Sequence, residues 1–274
     1  MEKKKVRLLA VQTGAIIGDV ETNISRAKIL METSLSKYEE ADFVFLPEVW
    51  NVGWDCSSFH VCAEEFSSSK SLEMLKSVAK KYSVNIIGGS VIQKKQNGEY
   101  ANTCPVINRN GDLVCTYEKN HLFSYYGCEE GQYVKAGKNP VMVELDSVKI
   151  GLSICYDIRF PELYRAYRKA GADIMVNMAA WGASKKIPWD SMTTSRAVEN
   201  QTYFVALTQT GILKNGERNL GHSMIYDYKG DILSEISEGE GAIFAEVDLN
   251  EMYEFRQKCT ILNDIKDSYE VVIK

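Results

Sequence analysis

Cys155 lies in the segment Lys149-Ile150-Gly151-Leu152-Ser153-Ile154-Cys155-Tyr156-Asp157, an apolar run that passes into a turn before Pro161. A thiol at such a strand-to-helix junction can project its sulfur while the N–H of the next residue, Tyr156, points at a bound carbonyl oxygen. That is the geometry of a nucleophile. A free thiol titrates near pH ~8.5 and is mostly protonated at neutrality, so a nucleophilic Cys155 needs a base or a nearby cation. The competing reading is an inert buried thiol, the usual fate of a free cysteine.

Two other residues offer the missing base and cation. Glu48 follows the apolar run Asp42-Phe43-Val44-Phe45-Leu46-Pro47 and precedes Val49-Trp50, so a carboxylate arrives amid aromatic neighbours. Desolvation there raises a carboxyl pKa toward neutrality, as proton transfer requires. Lys119 closes the strand-like run 113–118 and precedes Asn120-His121-Leu122-Phe123. A fixed ammonium at that point can hold a thiolate and then the oxyanion of a tetrahedral intermediate. His121 is a second candidate base. Each of these residues, taken alone, also fits a solvated strand end.

The elements that must position them alternate along the chain. Runs rich in Val, Ile and aromatic residues predict strands at 6–12, 42–46, 85–92, 103–108, 113–118, 141–145, 149–155, 173–178, 203–208, 222–226, 231–235 and 242–247. Helical patterns lie at 21–38, 72–82, 161–169, 188–200 and 250–258, with Pro161 suited to a first turn and Gly171 to a helix end. Interleaving of this kind predicts an α/β layered fold with a mixed sheet, and the strand clusters at 85–118 and 222–247 predict hairpins. Neither a repeat nor a Pro/Ser-rich linker divides residues 1–274, so a single domain is expected; Ser67-Ser68-Ser69 marks a loop.

Composition removes several function classes. A net charge of −5 gives no basic excess, and nucleic acid is not an expected partner. No apolar run approaches the roughly 18–20 residues that span a bilayer, so no membrane role is expected. Met1–Lys5 is short and basic, with no secretion-signal pattern behind it, and a cytoplasmic location is expected. The 7 cysteines include no CxxC pair and the 3 histidines no HExxH pattern, which argues against a disulfide framework or a metal centre.

Taken together, LPEVW around Glu48, YEKNHLF around Lys119 and SICYDIRFPELYR around Cys155 closely resemble the three signatures of the nitrilase superfamily, the carbon-nitrogen hydrolases, in the same order. The resemblance continues through Ser195–Gln201 and Gly221–Ile225. It implies a four-layer α-β-β-α sandwich, no metal or organic cofactor, and a homodimer or higher homo-oligomer. It also implies a second site glutamate between the lysine and the cysteine, best placed at Glu130, with Glu129 as the alternative.

Within the superfamily, KNHLF, CYDIRFPELYR and Phe255-Arg256-Gln257-Lys258 look most like the omega-amidase group, which acts on 2-oxoglutaramate and 2-oxosuccinamate. The implied reaction is hydrolysis of a small amide by water through a Cys155 thioester, with Glu48 as base and Lys119 and the Tyr156 N–H on the oxyanion. Tyr125, Tyr126, Trp181 and Thr208 are candidates for shaping the pocket. Arg159 is a possible carboxylate clamp that Glu162 could equally engage. N-carbamoyl amino acids are an alternative substrate class, and a non-catalytic metabolite-binding module is the alternative of a different kind.

Overall fold

The computed structural model describes residues 5–125, 129–213, 216–266 and 268–273. The first strand, β1 (Lys5–Gln12), sends Val6, Leu8 and Ala10 into one apolar cluster and Leu9 and Val11 into another. A strand buried on both faces must read this way, because successive side chains point to opposite sides. Helix α1 (Val20–Lys37) follows, opened by the Asp19 carboxylate, which accepts from the Thr22 N–H. Next come β2 (Phe43–Phe45), the short α2 (Phe59–Cys62) and α3 (Lys70–Tyr82), which Ser69 caps by accepting from the Leu72 N–H. Leu72, Leu75, Val78 and Ala79 form the buried stripe of α3 and, with Ala27, Met31 and Leu35 of α1, cover one face of the sheet.

The run expected as one strand at 85–92 is broken in two, β3 (Asn85–Ile87) and β4 (Val91–Lys94), both antiparallel to β5 (Tyr100–Ile107). The break falls at Gly88-Gly89-Ser90. Gly89 has φ +63°, and a Cβ there would sit 2.1 Å from the Pro47 carbonyl oxygen. That close approach is open only to glycine. β6 (Leu113–Glu118) pairs with the other edge of β5.

A second sheet is built from β7 (Met142–Leu145), β8 (Val148–Ile154), β9 (Ile174–Ala179), β10 (Tyr203–Thr208), β11 (Ser223–Tyr226) and β12 (Ile232–Ile236). Its centre is parallel, β8–β9–β10, and its flanks are antiparallel. Helices α4 (Pro161–Lys169) and α5 (Lys186–Asn200) lie on its outer side through Leu163, Tyr164, Tyr167, Trp189 and Ala197. Pro161 opens α4, and Gly171, with φ +91°, follows its end.

Of the expected hairpins, β4–β5, β5–β6 and β11–β12 form, but β13 (Gly241–Asp248) leaves the second sheet and pairs antiparallel with β1 over its whole length. Both sheets are mixed, and their facing surfaces share one core in which Leu8, Phe43, Phe45 and Val106 meet Ile150, Leu152, Ile174 and Val176. The order of layers is helices, sheet, sheet, helices, the four-layer arrangement expected. Helix α6 (Leu249–Lys258) ends the regular structure.

Candidate active site

Glu48 lies just beyond β2 in a turn that is held from several sides. Val49 has φ +38°, a conformation that costs a β-branched residue energy and persists only when its surroundings fix it. Those surroundings are visible: the Val49 N–H donates to Ser90 Oγ at 3.0 Å, and Trp50 Nε1 donates to the Gly88 carbonyl at 2.9 Å. Gln209 Nε2 donates to the Glu48 carbonyl at 2.5 Å. The strand break at Gly88–Ser90 therefore anchors the turn that presents Glu48.

The carboxylate of Glu48 is fully buried. Its Oε1 accepts from Lys119 Nζ at 2.8 Å and Asn102 Nδ2 at 2.9 Å, and its Oε2 accepts from the Ala180 N–H at 2.9 Å. Lys119 projects from the end of β6, also fully buried, and donates to Glu130 Oε2 at 2.9 Å while its Nζ lies 4.9 Å from the Trp54 ring centroid. Glu130 Oε2 accepts from the Phe123 N–H as well, at 2.8 Å. Glu129, the other candidate by sequence, lines the pocket instead and does not make these contacts.

Cys155 directly follows β8 and has φ +47°, a strained kink at the strand end. Three buried partners hold the kink. Asn177 Nδ2 donates to the Cys155 carbonyl at 3.3 Å, and the Asp157 carboxylate accepts from the Ile154 N–H at 2.9 Å and from Tyr117 OH at 2.6 Å. Asp157 also accepts from the His121 N–H at 2.9 Å, tying the Cys155 turn to the segment just after Lys119, and His121 Nδ1 lies 2.7 Å from the same oxygen. His121 is thus directed at Asp157 and stacked on Phe160, not paired with the thiol.

Burial pushes the Cys155 thiol well above its ordinary range, Glu48 adds to this, and Lys119 opposes it. Burial raises Glu48 too, and Glu130 adds to the rise against the pull of Lys119. For Lys119, burial works against the charge, but Glu130 and Glu48 outweigh it and hold the ammonium protonated. Cys155 Sγ donates to the Ala180 carbonyl at 3.8 Å, beside the raised Glu48 carboxyl and the Lys119 cation. A thiol and a carboxyl of raised basicity in one buried site are suited to proton exchange.

A cavity of about 670 Å³ opens over Cys155. Arg159, on its wall, stands 5.3 Å from the Trp181 ring and 5.9 Å from those of Tyr125 and Tyr156, and its Nε is buried without a hydrogen-bond partner among the described residues. Glu162, its alternative partner by sequence, is exposed at the start of α4. Trp181 lines the cavity, and Tyr125 borders it through Arg159 and Tyr156. Tyr126 lies outside the described residues. Thr208 does not reach the pocket: it is buried, and its hydroxyl donates to the carbonyls of Gln209 and Gly221. The next residue along, Gln209, is the one that touches the Glu48 turn.

The model of the carbon-nitrogen hydrolase family matches residues 8–257. This chain belongs to the carbon-nitrogen hydrolase family. Among curated members, this hydrolase is 36% identical to a 2-oxoglutaramate amidase of Bacillus subtilis, over 92% of this chain and 95% of that protein. It is 33% identical to a chloroplastic omega-amidase of Arabidopsis thaliana, over 94% and 72% of the two chains. The crystal structure of Saccharomyces cerevisiae Nit3, a member of branch 10 of the nitrilase superfamily, superposes with a TM-score of 0.86 at 28% identity, covering 94% of this hydrolase and 95% of Nit3.

Three residues that hold the site went unread in the sequence: Asn102, Asn177 and Gln209. Each is a polar residue fully or almost fully buried in or just after an apolar strand. That placement is itself a signal, since a strand rarely buries an amide without a partner to satisfy.

Proposed function

We propose that this hydrolase cleaves the amide of a small carboxylate-bearing 2-oxo acid, 2-oxoglutaramate or a close analogue, releasing ammonia through a thioester on Cys155. The observation that carries the proposal is the buried contact of Glu48 and Lys119 beneath Cys155, at the floor of a pocket whose wall bears the Arg159 cation. The 2-oxoglutaramate amidase and omega-amidases among its relatives support the same substrate class.

Glu48 accepts the thiol proton as sulfur attacks the amide carbon. The oxyanion forms against the Lys119 ammonium and the Tyr156 N–H at the first turn after the kink. Collapse of the tetrahedral intermediate breaks the carbon-nitrogen bond, and Glu48 returns the proton to the leaving ammonia. Water then attacks the thioester, again giving its proton to Glu48, and the acid departs as the thiol is restored. Glu130 keeps Lys119 in place. Arg159 binds the remote carboxylate, and its unpartnered Nε suits an anion from the substrate.

We read the chain as one hydrolase domain, and the family likeness supports assembly as a homodimer or higher homo-oligomer. The deciding assay is ammonia release by the unmodified protein and Cys155→Ala, with 2-oxoglutaramate, glutamine, an N-carbamoyl amino acid and a simple nitrile. Release from 2-oxoglutaramate that disappears in Cys155→Ala is the expected result. Preference for the carbamoyl compound would replace the substrate, and no release from any of them would overturn the amidase reading.

A further inference from the structure

Between the two buried carboxylates stands a side chain with no place in the three signatures. Asn102, on β5, directs the two hydrogens of its amide nitrogen one to each acid: Nδ2 donates to Glu48 Oε1 at 2.9 Å and to Glu130 Oε1 at 3.0 Å. Lys119 bridges the same two residues from another direction, through Glu48 Oε1 and Glu130 Oε2. The carboxylates are thus clamped twice, once by a cation and once by a neutral donor. The amide orientation follows from the same contacts, because reversing it would press Oδ1 against two carboxylate oxygens. In the observed orientation Oδ1 is buried with no hydrogen-bond partner among the described residues. An asparagine kept with half its amide unsatisfied is held there for what its other half does.

The backbone reinforces the placement. Asn102 sits between β4 and β6, paired with Ile92 on one side, and its carbonyl accepts from the Lys119 N–H at 2.9 Å on the other. It fixes the main chain of Lys119 and the side chains of both acids from one rigid strand position.

We propose that Asn102 is a positioning residue that holds the Glu48 carboxylate against Lys119 and apart from Glu130, and so sets the acid limit of Cys155 activation. This rests on the role assigned above to Glu48 as the base. Without the amide, Glu48 loses a donor to its charged form and takes up a proton more readily. The charged and titratable groups facing Glu48 are Lys119 from the end of β6, Glu130 from its turn and Cys155 from the kink; His121 and Asp157 form their own pair beyond Tyr117.

The test compares the pH dependence of two rates in Asn102→Leu and the unmodified protein: kcat/KM for 2-oxoglutaramate, and alkylation of Cys155 by iodoacetamide followed by mass spectrometry of its peptide. Alkylation needs the thiol deprotonated but needs no amide turnover. The acid limb of both profiles is expected to move up by about one to two pH units, the value of hydrogen bonds to a charged group. KM is expected to change much less than kcat. Asn102→Asp, nearly the same shape, adds a third acid and is expected to move the limb at least as far, which keeps the test open if the leucine variant does not fold. A folded variant whose rates fall equally at every pH, with the limb unmoved, would overturn the proposal and leave Asn102 a packing residue. Pronounced Cys155 alkylation with no amide turnover in the unmodified protein would instead remove the substrate assignment, with the alkylation profiles still deciding the role of Asn102.

Discussion

Replacing Lys119 with methionine keeps an unbranched side chain, one atom shorter, and removes its charge. In the native protein Nζ lies 2.8 Å from Glu48 and 2.9 Å from Glu130, and all three side chains are fully buried. Removing one partner of a buried ion pair costs about 3–5 kcal/mol, because the remaining charge keeps its desolvation penalty. Linkage gives the pH dependence: burial already raises the Glu48 carboxyl and Lys119 pulls it down, so removing the cation lets it rise further. The sign follows from proton uptake: a carboxyl raised in the folded state binds its proton more tightly there than in the unfolded chain. Its variant is therefore least impaired at low pH and loses stability as pH rises through the raised value. Urea unfolding of both proteins at pH 5 and pH 8 reads this directly. The expected difference is about 3–5 kcal/mol at pH 8 and distinctly smaller at pH 5. A difference below about 1 kcal/mol at pH 8, or one of equal size at both, would refute the reasoning, since neither is compatible with two uncompensated buried acids.

Gly89→Ala places a Cβ against the Pro47 carbonyl in a backbone region unfavourable to alanine; a stability loss of about 2–5 kcal/mol is expected in urea unfolding. Because that contact anchors the Glu48 turn, kcat in the surviving folded fraction is expected to fall about tenfold or more. Arg159→Met is expected to raise KM for 2-oxoglutaramate about 10- to 100-fold with kcat much less affected, as loss of one charge-assisted contact dictates. Steady-state kinetics with an uncharged small amide, whose KM is expected to be unchanged, provides the control.

Much of this architecture is legible in the sequence because strands and helices declare themselves by period. The strands at 113–118 and 203–208 coincide with β6 and β10, and the helix at 161–169 with α4. What escaped is decided elsewhere in the chain. The run at 85–92 has strand-forming residues throughout, and it breaks because Gly89 must pass under Pro47. The four residues of α2 are too few to show a helical period, and β13 joins β1, not its neighbour β12, for a tertiary reason that spacing does not carry. The same holds in the site. Glu48, Lys119 and Cys155 stand at the ends of readable elements, whereas Asn102 and Gln209 act on Glu48 from 54 and 161 positions away. Thr208 against Gln209 shows how narrow the margin is, since adjacent positions at a strand end face different surroundings.

The sites of contact around Glu48 also fix a sequence in time. The Ala180 N–H that holds Glu48 Oε2 and the Gln209 amide that holds its carbonyl are made 132 and 161 residues after Glu48 itself. β1 waits longer still for β13, whose Asp248 pairs with Lys5. A nascent chain therefore carries Cys155 for some time as an ordinary thiol, with its base not yet seated and the flank of the first sheet uncovered. The site is complete only once the segments carrying Gln209 and β13 have been made and the two sheets close on each other.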